Sequence, residues 1–401
     1  MTNLQSSNQL PRWLLLPLLA SIVAITPLAI DMYLPALTEI AREFGTDVTI
    51  VQQSLSTYLA GYGLGMLCFG YLADKFGRRP LVIFGLSCFC LISLALSFSS
   101  NMDVFFILRF FQAFVGAAAT VVIPGYIKET YKENTAKGMS YVSLIMMLAP
   151  LIAPAIGTLI LDVLNWHWIF RILSIYAFVL LFFVLFKLKM SSDKDKSVRT
   201  EKSFLGAYKT VFTKPGVRAY IASGVLTSFA FFCYLTASSF VFMEVFKVDK
   251  LTFSTLFSLN VGSLMFANVI NSRLSPKFGS KVMLKGGIVI GLITASGLTL
   301  VNWLQLDYIY TMVFLMPLMG SLGIISVSCD AIVLLKFKNE TGTATAVIGT
   351  LRFGCGALAG PILAILYTGT AVPFAGVMLT SIFIIGLLQF FYKGNKTKMT
   401  K

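Results

Sequence analysis

The chain has 401 residues, 57% of them hydrophobic and only 12% charged, with a mean hydropathy of +0.83. A soluble domain carries about twice that charged fraction, so a soluble globular fold is excluded. The net charge of +15 does not point to nucleic acid either, because the basic residues fall in alternate loops between apolar runs, the pattern of membrane topology.

Those apolar runs recur along the chain, each long enough to cross a hydrocarbon core of about 30 Å. They predict spans near 13–34, 50–71, 81–99, 104–127, 139–162 and 167–188, and then near 219–242, 252–271, 283–303, 308–335, 344–367 and 372–392. The first run is longer than the apolar region of a secretory signal and no Ala-x-Ala site follows it, so it is expected to remain as a span. The expected fold is all-α and integral to the membrane: twelve transmembrane helices in two pseudo-symmetric six-helix bundles, residues 1–190 and 218–401. A polar, mixed-charge linker at 191–217 joins them, reading as a tether with a surface helix.

Orientation follows from the loops. Lys75, Arg78 and Arg79 follow the second span, Lys128, Lys132 and Lys137 the fourth, and the linker is rich in lysine. Lys336 and Lys338 follow the tenth span and four lysines end the chain, whereas the opposite loops hold Asp103, Asp162 and Asp307 with few bases. Both termini and the linker are therefore expected on the cytoplasmic side. All six cysteines lie in apolar runs without metal or redox spacing and read as small core-filling groups. No cofactor or metal is expected.

Charges inside spans are costly, about 2.5–3.5 kcal/mol each on insertion scales, and mark function by default. Asp31 lies near the outer end of the first span, and Arg109 two turns into the fourth. Because these helices run in opposite directions, the two side chains fall at similar depth, and a direct or water-bridged pair is geometrically open. The competing readings are an interfacial acid and a structural cation. Asp330 and Arg352, in the tenth and eleventh spans, form a second candidate set, with snorkelling toward the Lys336–Lys338 loop as its alternative. Arg171 reads as an interfacial anchor beside Trp166 and Trp168, and His167, the only histidine, as a belt residue more than a proton relay. Tyr33, Tyr58, Gln112, Phe232 and Asn260 are secondary candidates for lining a site. In the fifth span Pro150 and Pro154, followed by Gly157, predict a kinked helix in close contact with a neighbour.

The turn between the second and third spans, GYLADKFGRRPL from Gly70, has a weakened echo in SRLSPKFGSKVML from Ser272. With Arg109–Gly116 (RFFQAFVG) and the Pro150–Gly157 stretch, it resembles the motifs of the major facilitator superfamily. The runs Ile30–Leu37 (IDMYLPAL), Trp166–Phe170 (WHWIF) and Gly349–Gly354 (GTLRFG) are similar to the bicyclomycin-resistance (Bcr/CflA) branch of drug–proton antiporters. This resemblance covers essentially the whole chain. It implies two bundles rocking about a central cavity in a bacterial inner membrane, a monomer whose partners are small drugs, protons and lipid. By the same resemblance Asp31 would be the acid that answers proton and substrate, and Arg109 would tune it. Gly70, Asp74, Gly77, Arg78 and Arg79 would latch the outward-open state. An exporter of metabolites such as cysteine, dipeptides or siderophores is the alternative. Two departures stand out: Pro276 replaces the counterpart of Asp74, and no second acid lies deeper in the first span.

Overall fold

The structure is a computed structural model and describes residues 12–131, 135–187, 216–337 and 341–391. The linker lies outside these apart from its last two residues. All regular structure among the described residues is helical. In order, the helices are α1 (Arg12–Asp31), a 3₁₀ turn at Leu34–Ala36, α2 (Leu37–Phe44), α3 (Val48–Phe76), α4 (Arg78–Leu96), α5 (Met102–Thr120), α6 (Ile123–Tyr131), α7 (Thr135–Val163) and α8 (His167–Lys187). Then follow α9 (Arg218–Ser239) running into a π turn at Phe240–Val245, α10 (Lys250–Phe278), α11 (Ser280–Trp303), α12 (Tyr308–Lys336), α13 (Thr341–Gly356), α14 (Ala359–Ile365) and α15 (Val372–Phe391). The chain divides into two compact units: the described residues of Met1–Arg199 with Asp249–Ser258, and those of Thr200–Val248 with Leu259–Lys401.

Among the described residues, 11 helical stretches are long and apolar enough to cross a membrane. α3 has the length, 29 residues, or about 43 Å at 1.5 Å per residue, but is more polar. Its Gln52, Ser54 and Ser56 are buried inside the unit. Two expected spans are broken. The fourth becomes α5 and α6, parted at Val121–Val122 just before Pro124, and the eleventh becomes α13 and α14, parted at Ala357–Leu358 before Pro361. Proline cannot supply the amide that a continuous helix needs there. α2 was not expected. It is a short amphipathic helix that buries Leu37, Ile40 and Ala41 and stops at Gly45, whose left-handed φ of 62° closes the last turn.

Small residues set the packing. A Cβ on Gly61 of α3 would come 2.2 Å from the Phe110 carbonyl oxygen of α5, and one on Gly85 of α4 would come 2.7 Å from the Ala119 amide. These backbones therefore touch, as membrane helices do where van der Waals contact replaces the hydrophobic effect. In the second unit Tyr220, Leu284, Ile325, Cys329, Val333 and Ile385 gather α9, α11, α12 and α15 around one core. Cys233 and Cys329 are buried as core-filling thiols, whereas Cys68 is exposed, so the core reading fails for that residue.

The two units repeat a local design. α3 and α10 are both 29 residues long and end at Phe76 and Phe278. Each is followed by a glycine of positive φ, 86° at Gly77 and 83° at Gly279. Each glycine amide donates four residues back, to Ala73 O at 3.1 Å and Ser275 O at 2.8 Å. α5 and α12 likewise both start under a side-chain cap, Asn101 and Asp307.

Candidate functional site

Asp31 ends α1 and is 2% exposed, and its Oδ1 has no hydrogen-bond partner. The turn after it is held from α7. A Cβ on Gly157 would lie 2.0 Å from the Met32 carbonyl oxygen and 3.2 Å from the Pro35 ring, so only glycine allows the proline-bearing helix to sit this close. α7 runs unbroken through Pro150 and Pro154. Along that stretch Ser258 Oγ donates to Leu151 O at 2.7 Å and Ser254 Oγ to Pro154 O at 3.2 Å, all within the first unit.

Arg109 sits two turns into α5 and is fully buried. Its Nη1 donates to the Ala29 carbonyl at 3.1 Å and to Gln112 Oε1 at 2.7 Å. Gln112 Nε2 in turn donates to Ser93 Oγ of α4 at 2.8 Å. The guanidinium carbon lies 4.2 Å from the Tyr33 ring centre, 4.4 Å from Tyr58 and 5.7 Å from Phe170. Ring faces and a carbonyl thus take the place of water around the cation. Nε and Nη2 have no partner, and no ion pair joins Arg109 to Asp31, although the guanidinium reaches a carbonyl two residues away from the acid. Tyr33 pairs with Ser54 across 3.2 Å, and the buried Tyr58 hydroxyl has no partner.

The glycine turn is described except for the side chains of Asp74 and Lys75, which lie outside the described residues. Gly70 faces open space. The Arg78 guanidinium lies over Gly125 of α6, 2.8 Å from where a Cβ would stand. Arg79 Nη2 donates to Leu185 O at 3.0 Å, at the negative end of the α8 dipole.

In the second unit Arg352 of α13 and Asp330 of α12 form a two-pronged pair, Nη1–Oδ2 at 3.0 Å and Nη2–Oδ1 at 2.8 Å. Their side chains are 19% and 36% exposed. Gly224 of α9 makes the room, since a Cβ there would come 2.9 Å from Arg352 Nη2. Asn260 is fully buried, its Nδ2 on the Met312 sulfur at 3.4 Å and its Oδ1 without a partner. Phe232 packs on Gly356 at the α13–α14 break and 5.4 Å from the Phe353 ring.

Two participants escaped the sequence reading. Ser93 is an unremarked serine in an apolar helix. Glu43, from the unexpected α2, accepts from Trp166 Nε1 at 2.6 Å and meets His167 Nε2 at 3.2 Å. The Trp166 ring is stacked on His167 and abuts Phe44, Phe105 and Phe170. Arg171 lies 4.8 Å over the Trp168 ring.

A polytopic all-helical chain that holds ionisable groups inside its spans is built as membrane transporters are built. Residues 19–361 match the Major Facilitator Superfamily, and the chain belongs to that family. It is 28% identical over 376 residues to a bicyclomycin resistance protein homolog of Haemophilus influenzae, covering 93% of this chain and 94% of the relative. It is 26% identical over 352 residues to multidrug resistance protein D of Escherichia coli, covering 86% and 87%. Its fold matches the partially occluded inward-open structure of the xylose transporter XylE from E. coli, with a TM-score of 0.73 at 15% identity, over 97% of this chain and 100% of that one.

Proposed function

We propose that this transporter exports small drugs, of bicyclomycin or chloramphenicol type or more broadly, in exchange for protons across the bacterial inner membrane. It acts as a monomer with both termini in the cytoplasm. The observation that carries the reading is Asp31, a buried carboxyl without a partner on Oδ1, at the level of a buried arginine. An ionised carboxylate left there alone costs several kcal/mol, so a charge on this acid has to be matched or removed. Ionised, it needs a cation or a polar drug beside it. Proton and drug then compete for one group: drug entering from the inner side binds the ionised acid, and protonation from the acidic side releases it. The names of the relatives, bicyclomycin and multidrug resistance, support drugs as the cargo.

In this reading the Gly70–Arg79 turn, including Asp74, controls the passage between states. α7, with Pro150, Pro154 and Gly157, couples that passage to the seat of Asp31. Asp330 and Arg352, already paired, brace the second unit, while Tyr33 and Tyr58 shield the arginine. Phe232 and Asn260 are left as candidate drug contacts.

The test uses everted vesicles with an acidic interior and a pH-sensitive dye, challenged with bicyclomycin and chloramphenicol. Wild type should release protons on drug addition, and Asp31→Asn should not. Drug export against a gradient by Asp31→Asn with normal proton release would refute the assignment.

A further inference from the structure

We propose that Glu39 and Lys250 form a releasable clasp, which ties the start of α10 to the first unit and lets it come away during transport. Its purpose rests on the antiport reading, which also places it at the outer face; the contacts themselves do not depend on that reading. α10 is one unbroken helix of 29 residues, yet it is shared. Its first part, as far as Ser258, groups with the first unit, and Leu259 onward groups with the second. If the units rock, either this first part leaves its neighbours or α10 bends between Ser258 and Leu259.

The chemistry of the seam favours release. Lys250 Nζ donates to Glu39 Oε2 of α2 at 3.3 Å. Below that pair the hydrogen bonds run through hydroxyls. Thr158 Oγ1 of α7 pairs with Ser254 Oγ and reaches Lys250 O at 3.4 Å. Ser254 and Ser258, one turn apart, donate to Pro154 O and Leu151 O. A hydroxyl that loses its partner across such a seam can turn to the carbonyl four residues back in its own helix, or to water. The glycine contacts of α3 with α5, made of backbone against backbone, have no such substitute. The Lys250 and Glu39 side chains are 34% and 28% exposed, so water reaches both and can take over when they part.

α2 is built to stay while α10 leaves. Glu43 lies one turn beyond Glu39 on the same face of α2. It accepts from the indole of Trp166, which is fully buried and abuts Phe44, Phe105 and Phe170. All of these groups lie within Met1–Arg199, so this anchor holds whatever α10 does. Glu39, by contrast, holds a helix start whose continuation lies in the other unit. The acids nearest Lys250 in sequence are spent elsewhere: Asp249 accepts from the Thr252 amide at 2.6 Å, and Glu244 pairs with Lys247 at 3.2 Å. Glu39 is therefore the acid on which the tether of Lys250 depends.

The experiment measures the distance between spin labels on the exposed positions Arg42 of α2 and Leu251 of α10, by double electron–electron resonance in lipid. The labels go on Arg42→Cys and Leu251→Cys in a full chain whose six native cysteines are changed to alanine and which elutes as one peak in gel filtration. With Glu39 and Lys250 intact, two distances are expected, a shorter clasped one and a longer released one. Glu39→Gln and Lys250→Gln should each raise the ratio of long to short by about two- to fivefold, the range that a partly exposed pair commands. Glu39→Lys combined with Lys250→Glu should restore the ratio. Thr158→Val, which keeps the shape and removes the seam's hydroxyl, should raise it without touching a charge. A single distance in all of these chains would overturn the proposal, since α10 then bends instead. Ratios unmoved by the single changes, or not restored by the exchange, would overturn it as well. The measurement needs no transport, so a wild type that releases no protons on drug addition would sink the antiport reading alone.

Discussion

Arg109 carries five N–H groups, and the structure meets them with one carbonyl, one amide oxygen and the faces of Tyr33, Tyr58 and Phe170. Lysine would keep the charge but lose the planar stack and the fork. Arg109→Lys is therefore expected to cut drug-driven proton release at least tenfold while the protein stays folded, which fluorescence-detected gel filtration can check. The Arg352–Asp330 pair follows a different logic. Arg352→Ala leaves a half-buried carboxylate without its fork, so it should destabilise more than the double change Arg352→Ala with Asp330→Ala. A thermal-shift double-mutant cycle measures the difference. At this scale sequence located the costly charges, since Asp31, Arg109, Asp330 and Arg352 stand out against apolar neighbours. It left open which of them meet. That depends on how each helix is rotated about its axis, and a serine such as Ser93 becomes informative only when a neighbouring amide is seen to point at it.

Helix contacts made through glycine predict sharp contrasts. Gly157→Ala would force a Cβ into the Met32 carbonyl, and Gly61→Ala into that of Phe110. Both partners are backbone and cannot swing aside, so each change should cost about 1–3 kcal/mol and lower the melting temperature in detergent. Gly286→Ala meets open space and should be neutral or slightly stabilising, because alanine favours helix by up to about 1 kcal/mol. Gly77 and Gly279 adopt backbone angles open almost only to glycine, so alanine at either should cost about 1–3 kcal/mol of strain. At the start of α10 the Thr252 amide donates to Asp249 Oδ1 at 2.6 Å, which holds that carboxyl below its usual range. Because the folded value is depressed, the cap is intact at neutral pH and is lost only as pH falls through the lowered value. The protection factor of the Thr252 amide, corrected for intrinsic exchange, should fall there and not before. The glycine turns were readable in advance, because Phe-Gly between two apolar runs recurs in both halves. The breaks in the fourth and eleventh spans and the existence of α2 were not. A hydropathy window averages over a two-residue interruption, and Leu37–Phe44 is too short and too charged to register as a span.

For the molecule as a whole, the span pattern was legible because lipid imposes it: each run must be apolar on nearly every face that meets hydrocarbon. α3 is the weakest case of that rule, since Gln52, Ser54 and Ser56 turn inward and leave the run at 50–71 less apolar than the others. If one proton drives export, a membrane potential of about 100 mV supplies about 2.3 kcal/mol and one pH unit about 1.4, which together sustain a drug gradient of a few hundred-fold. A protonophore should collapse that gradient in intact vesicles, and accumulation that survives it would point to another energy source. The matched turns at Gly77 and Gly279 bear on the history of the chain. A protein made by doubling a six-helix ancestor must keep in both copies whatever the backbone needs in order to turn, but may discard from one copy whatever only the other has to do. The glycine stands in both halves, while Pro276 stands in the second where Asp74 stands in the first. Under prolonged drug selection in the laboratory, substitutions should accumulate freely around Pro276 and be purged at Gly279, and deep sequencing of the surviving variants would show whether they do.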